Sequence, residues 1–473
     1  MGTHAGSQRS LEQQETEQYQ CDVSDQITAE FDGAEFGDAR LTDRLKQIGE
    51  SLGRAPAESI PNACGEWAST KATYRFCDNE TVEPKEILSA HRQTQRSRLT
   101  GRNDLLVVSD TTFLTFPRHP SKEGLGDISS TDIDVEGVKL HTTIGIRPDT
   151  HRMTGVIDQQ VLVEDQQADE KYDTNGRGEP VHLESEHDKW IRGDRQARDW
   201  LADEIRPIFV HDRGADAFSF YVDVTEDLNE AGFVVRANQN RCIRTRSGQE
   251  DRLFEWSSDL PEQGRTSIKI QQGGDREARE ADLAVRAGSC ELLPPKNDPE
   301  HDSPVTVNVV RVDELDRGED PIQWVLLTTE SVDGFSDSLT VVDSYRARWT
   351  IEDWHKVLKT GCRIEERQLE TWERMEVLLS VYSVIAWKVL ELRELARGES
   401  HHPPDVLLTE TERSILETKF PELTANGAKA YAIAVAKIGG YLDRSSDPPP
   451  GWETMWKGLK TLQTWAEGYE LHS

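Results

Sequence analysis

The chain of 473 residues carries 55 Lys and Arg against 87 Asp and Glu, a formal charge of −32, with 35% hydrophobic residues and 12 each of Trp and Phe. Domains run to roughly 100–200 residues, so more than one unit is expected, and the apolar content is enough for a core, which excludes wholesale disorder. The longest near-apolar run, Val377 to Trp387, is broken by Ser380 and Ser383 and falls short of the roughly 18–20 residues that cross a bilayer, so no spanning segment is predicted.

The first residues, MGTHAGSQRSLEQQETEQYQ, hold no apolar stretch of the kind a secretory signal needs. The six cysteines (Cys21, Cys64, Cys77, Cys242, Cys290, Cys362) are scattered without Cys-x-x-Cys or zinc-like spacing. A reducing cytoplasm is the expected location. The acidity argues on its face against nucleic acid, because phosphate binding depends on Lys and Arg. In molar salt, however, the Debye length is only about 3 Å and repulsion between surface acids and DNA hardly reaches. Arg outnumbers Lys and Asp is abundant, so the charge reads as halophilic adaptation and not as information about the ligand.

Residues 1–30 are polar and without periodicity, as expected of a mobile arm. Residues 31–100 form a small helical module: Leu41, Leu45, Ile48 and Leu52 recur at helical spacing, and basic residues including Arg40 and Arg75 nearly balance the acids. Leu105 to Asp110 reads as a buried strand ending in a carboxylate, followed by strands at Val138–Ile146 and Gly155–Val163. Ile208 to Asp212 is another apolar strand ending in Asp, and Phe233 to Arg236 a further one after a helical pattern. Strands alternating with helices indicate α/β. Residues 241–330 change to period-2 stretches at Ser267–Gln271, Val305–Val312 and Gln323–Thr329, a β-rich insertion. After Ser338 the pattern is helical to the end, broken at Gly398–Pro404 and Ser445–Pro450, with 401–473 a helical C-terminal region.

The densest chemical signal is Tyr345-Arg-Ala-Arg348-Trp-Thr-Ile-Glu352-Asp-Trp-His-Lys356-Val-Leu-Lys359. At about 100° per residue, Tyr345, Arg348, Glu352, Lys356 and Lys359 share a narrow face while Ile351, Trp354 and Leu358 gather on another. Such a face is ordinarily solvated and laced with i,i+4 ion pairs. An acid ringed by cations and a phenol also suits a site where the acid holds a metal and the cations hold a phosphate backbone. Two-metal phosphoryl transfer needs several carboxylates from separate elements, and Asp110 and Asp212, at strand ends, are candidates for the others.

These residues resemble the cut-and-paste DDE transposases of the insertion-sequence-four group. Tyr345, Arg348, Glu352 and Lys359 match the group's Tyr-(2)-Arg-(3)-Glu-(6)-Lys signature without a gap, Asp110-Thr-Thr112 is similar to its first aspartate motif, and Asp212-Arg-Gly-Ala-Asp216 to its second. Phe36-Gly-Asp-Ala-Arg40 and Ala72-Thr-Tyr-Arg-Phe76 resemble its end-binding module, and Trp452 to Gly468 its dimerisation segment. The resemblance implies an α/β, ribonuclease-H-like catalytic core at 101–400 carrying the β-rich insertion, an N-terminal helical DNA-end-binding module, and a C-terminal helical dimerisation region. The 140 residues from Asp212 to Glu352 leave room for the insertion. Gly214 departs from the group, which commonly has Glu there.

The implied activity is cleavage of double-stranded DNA at the element's terminal repeats and joining of the freed 3′-hydroxyls to target DNA by a homodimer. Asp110, Asp212 and Glu352 would hold two Mg²⁺ ions, with Mn²⁺ able to substitute. Arg348, Lys356 and Lys359 would hold DNA phosphates, Tyr345 would position the backbone, and Arg40 and Arg75 would contact the ends. Arg236 is either a further DNA contact or a surface ion pair. The resemblance places a base-stacking Trp at Trp324, whose strand-like setting equally suits a packed core residue. His141, within a strand pattern, reads as core or as support behind the ligands and not as a ligand. The rivals are a stand-alone Mg²⁺ nuclease, which would need neither end-binding nor dimerisation segments, and a catalytically silent DNA-binding regulator, disfavoured by the presence of all three acids.

Overall fold

The computed structural model describes residues 27–470 apart from 100, 102, 129–134, 164–171, 175–179, 183–187, 229, 271–278, 297–300, 316–320, 398–407, 426, 445–446 and 448. Residues 1–26 of the expected arm lie outside this range, but its last residues do not behave as an arm: Ile27 and Glu30 are buried beside Phe31. Apolar Ile27 and Phe31, four apart, dock on the helix that follows, where Gly49 and Gly53 leave room for their side chains.

Helix α1 (Ala39–Arg54) starts where Asp38 caps it, its carboxylate accepting the Arg40 N–H at 3.0 Å, and Gly37 enters the cap at φ +75°. Leu45, Ile48 and Leu52 are buried as their spacing requires. A short helix α2 (Ile60–Cys64) ends at Gly65, whose φ of +68° turns the chain into α3 (Trp67–Cys77), and α4 (Pro84–Arg98) completes the module.

Four strands follow: β1 (Asp104–Thr115), β2 (Gly126–Asp127), β3 (Glu136–Ile146) and β4 (Met153–Leu162). After a small hairpin, β5 (Tyr172–Thr174) with β6 (Pro180–His182), come α5 (Asp188–Trp200), β7 (Arg206–His211), α6 (Phe218–Glu226) and β8 (Gly232–Arg236). Strands β7 and β8 run parallel to β1, while β3 and β4 are antiparallel on its other side, giving the order β4-β3-β1-β7-β8. The expectation that β1 ends at Asp110 is corrected: pairing with β3 continues through Thr115 opposite Gly137, so Asp110 sits within the strand.

The β-rich segment holds β9 (Cys242–Thr245), β10 (Glu250–Arg252), α7 (Leu253–Ser258), β11 (Glu262–Ile270), β12 (Arg279–Leu292), β13 (Val305–Glu314) and β14 (Gln323–Thr328). It is continuous with the sheet: β14 pairs with β8 through Leu326 and Arg236, and the whole is one mixed twelve-stranded sheet. The chain ends in α8 (Phe335–Ala347), α9 (Trp349–Lys356), α10 (Trp372–Arg397), α11 (Glu410–Lys419), α12 (Ala428–Ile438) and α13 (Trp452–Glu470). The apolar run of the sequence is the middle of α10, buried on every side from Val377 to Leu390. Among the described residues no helix is long and apolar enough to cross a membrane.

Buried charge joins the N-terminal module to this body. Glu30 meets His91 Nδ1 at 2.6 Å and Arg98, whose guanidinium lies 4.6 Å over the Trp387 ring of α10, and Glu391 meets Arg152 at 2.9 Å and Lys388. Burial pushes the Glu30 carboxyl up, but Arg98 and His91 outweigh it and hold it at about 2. Glu391 is held at about 2 by Lys388 and Arg152 against the same burial. Acids depressed in the fold stabilise it above their unfolded pKa of about 4.3 and lose that contribution as pH falls toward 2. Thermal melts between pH 5 and pH 2 should therefore show a steep acid limb, and Glu30→Gln should flatten it; an unchanged limb would place the acid-sensitive contacts elsewhere.

Candidate active site

The three acids of the sequence come from three elements. Parallel pairing of β1 with β7 runs to Val108 opposite Val210, and two further residues in that register set Asp110 beside Asp212 on neighbouring segments. Strands in a sheet lie about 4.8 Å apart, so two carboxylates so placed repel each other. The consequence is visible at Asp110: burial, then Asp212 and Glu352, raise its carboxyl to about 6 despite the opposing pull of Arg348. Asp212 directly follows β7, and its carboxylate accepts the Gly214 N–H at 2.7 Å.

Glu352 approaches on α9. Arg348, at the junction of α8 and α9, donates to Glu352 at 2.7 Å and lies 3.9 Å from Asp110, so one buried guanidinium bridges two of the three acids. With Glu352 turned to Arg348, no three acids, histidines or cysteines among the described residues are gathered tightly enough to hold a metal ion as they stand. Their chemistry nonetheless fits one. Divalent Mg²⁺ and Mn²⁺ prefer carboxylate oxygens, and three crowded acids, one of them raised by burial and then by the other two, are what a cation would relieve.

The signature residues do not share one open face. Backbone bonds tighten to i→i+3 at Arg348 and widen to π-helical bonds over Val357–Gly361, so a uniform 100° wheel fails. Ile351, Trp354 and Leu358 are buried as expected, but Tyr345 is buried too, correcting its place on the exposed face. Its ring packs edge-on against Trp324 at 5.1 Å, and Trp349 covers Trp324 from 6.0 Å. Trp324 is only 4% exposed, so of the two alternatives for this residue the structure adopts the packed one, and its face is not open to a base. Lys356 is exposed, whereas Lys359 donates to the Phe113 carbonyl of β1 at 2.6 Å.

Among the described residues Arg236 makes no ion pair. It donates to the Gln323 carbonyl at 3.0 Å; burial lowers its pKa, Tyr345 raises it, and Arg213 and Arg348 lower it, so Arg236 sits among one phenol and two further guanidinium groups. Arg213, exposed and next to Asp212, is a cation that sequence reasoning passed over although it lies inside the quoted motif. In the module, Arg40 pairs with its own cap, Asp38, at 2.8 Å, while Arg75 is exposed on α3 and has no ion pair among the described residues. His141 is core, bonded to Thr111 at 2.9 Å and edge-on to Trp190 at 4.7 Å.

Two further residues shape the Asp212 turn. A Cβ at Gly214 would stand 2.9 Å from the Trp190 ring and 3.0 Å from the Asp212 carboxylate, so the glycine makes room for the indole. Asp216, fully buried, accepts from Tyr221 at 2.7 Å, from the N–H groups of Asn238 and Gln239, and from Arg241 at 2.8 Å. It ties the turn to the start of the β-rich segment, a role invisible without the long-range partners. Asp216→Asn turns an amide toward these donors and should cost about 2 kcal/mol in urea unfolding; a loss below a few tenths would mean the hub is replaceable by water.

Two protein-family models agree in kind. A family model described as transposase DNA-binding matches residues 24–82, and the model of the transposase DDE domain matches residues 110–387. Among solved structures, the cryo-EM structure of the piggyBac transposase synaptic complex with hairpin DNA aligns with 98% of this chain and 82% of that one, at 10% identity and a TM-score of 0.37. The second family match begins at Asp110, spans more than half of the chain and includes both strand acids and the signature helices: the chain belongs to the transposase DDE domain family.

Proposed function

We propose that this DNA transposase works by cut and paste: it binds the terminal repeats of its element, cleaves there, and joins the 3′-hydroxyl ends to target DNA. The observation that carries the reading is the convergence of Asp110 and Asp212, side by side on parallel strands, with Glu352 linked to Asp110 through Arg348. The order β4-β3-β1-β7-β8, three antiparallel strands followed by two parallel ones, supports a ribonuclease-H-like core at 101–400, interrupted by the insertion at 241–330. The gapless signature supports membership of the insertion-sequence-four group. Residues 31–100 then serve as the end-binding module and 401–473 as the dimerisation region of a homodimer acting in the cytoplasm.

Asp110, Asp212 and Glu352 would hold two divalent cations, Mg²⁺ or Mn²⁺, which when bound supply a nucleophile from water and offset charge on the phosphodiester. The chain's own groups do the rest. Arg348, Arg213 and Lys356 set positive charge around the scissile phosphate, a bonding partner for its oxygens in a partly buried site. Lys359 fixes β1 beyond Asp110 and so holds that acid in register, and Tyr345 fixes Arg236 and Arg348 from below.

Joining is tested with a pre-cut terminal duplex and a plasmid target: a 3′-hydroxyl end should be covalently joined and a 3′-dideoxy end should not. Equal absence of joining with both would leave only the nuclease reading. The acidic surface adds a salt prediction, that the protein stays folded and shifts its terminal duplex in molar potassium chloride. Loss of the fold or of specific terminal-duplex binding in molar potassium chloride, by protein that is folded and binds at low salt, would refute halophilic adaptation.

A further inference from the structure

Trp67, at the first position of α3, is 76% exposed, the most exposed large apolar side chain among the described residues. A single exposed indole is unremarked on most surfaces, but this one heads a stripe. Lys71 and Arg75 follow at four-residue intervals, both exposed, and among the described residues neither makes an ion pair, in a chain where acids outnumber bases by 32. The opposite side of α3 is buried through Thr70, Thr73, Phe76 and Cys77. Helix α2, the left-handed Gly65 and α3 thus form a helix–turn–helix unit with its second helix outward.

The unit is fixed to the catalytic body. Arg374 of α10 pairs with Asp78 at the end of α3, and Arg367 donates to the carbonyls of Pro56 and Glu58 just before α2. Eight residues at 1.5 Å each carry Arg75 about 12 Å beyond Trp67 along the axis, close to the width of a major groove. In such a groove an indole at the leading turn would lie at the floor while Arg75 would reach the phosphate rim.

We propose that α3 enters the major groove of the terminal repeat with Trp67 against the 5-methyl group of a thymine, making Trp67 a sequence-reading residue and Lys71 and Arg75 phosphate contacts. The proposal rests on the reading that the chain binds its own element's ends. The chemistry favours this base: in the major groove the thymine methyl is the apolar feature that distinguishes its pair, and an uncharged ring reads it without an unpaired polar atom.

The test uses the full-length protein and a duplex of the element's own terminal repeat, in which each thymine is replaced in turn by deoxyuridine, removing only the methyl. Wild type should lose about five- to tenfold in affinity at one or two positions, the lower part of the range for one base contact. Trp67→Ala should lose the same factor on unmodified DNA, become indifferent to those replacements, and keep the salt slope; Trp67→Phe should retain most of the discrimination. Lys71→Gln and Arg75→Gln should each lower the slope of log affinity against log salt by about one while keeping the methyl dependence. Specific binding by wild type with Trp67→Ala indistinguishable from it, or still sensitive to every replacement, overturns the assignment. Trp67→Ala that binds poorly because self-association is lost places Trp67 in a protein contact and also overturns it. If wild type binds the terminal duplex no better than a scrambled one, the end-binding reading itself falls, a result distinct from either.

Discussion

Asp110→Asn, Asp212→Asn and Glu352→Gln should each reduce cleavage of terminal DNA by at least about a thousandfold, while gel shifts with the same DNA stay close to wild type. Each change removes one carboxylate from a site that must offset developing charge worth several kcal/mol, and none of the three lies in the module matched as DNA-binding. Stability gives a second readout. Asp110 is raised to about 6, above its unfolded value of about 3.9, so in metal-free protein the fold is favoured below pH 4 and loses that contribution as pH rises through 6. Asp110→Asn removes the ionised group and should melt no lower than wild type at pH 8. Detectable nicking by any of the three variants would take that residue out of the proposed site, and a much lower melting temperature for Asp110→Asn would make its carboxylate structural.

Trp324→Ala should cost about 3–5 kcal/mol of folding stability, the range for emptying a large buried aromatic site. The indole is enclosed by Tyr345 and Trp349 on strand β14, and its loss leaves a cavity beneath the helix junction that carries Arg348. First-strand nicking and the later steps should slow together, since the whole signature helix loses its support. Unchanged melting with a selective defect after the first nick would instead restore the base-stacking role.

Much of this was legible in the chain itself. The apolar strands, Asp212 directly after one of them and the helical segment around Glu352 are local patterns, and each pattern marks an element that forms. What escaped depends on partners far away in sequence. Strand β1 runs past Asp110 because β3 pairs with it there, a contact that no local rule supplies. Tyr345 turns inward because the helix is tightened at Arg348 and Trp324 waits beneath it. Strand β12 was missed because Ala, Gly and Ser interrupt its alternation, although β13 and β11 cover both its edges. The stripe of Trp67, Lys71 and Arg75 was present as a spacing, but which side of α3 faces out is decided by how the module packs on α10.

The most direct measurement is cleavage itself. Purified protein is incubated with a duplex carrying the element's own terminus joined to flanking DNA, with Mg²⁺ or with chelator, and the ends are mapped to the nucleotide. The account predicts 3′-hydroxyl ends at the boundary between element and flank, formed with Mg²⁺ or Mn²⁺, absent with chelator and absent in Glu352→Gln. Specific binding of that duplex with no cleavage under any divalent cation would contradict it, and would make the chain a silent regulator in spite of its three acids.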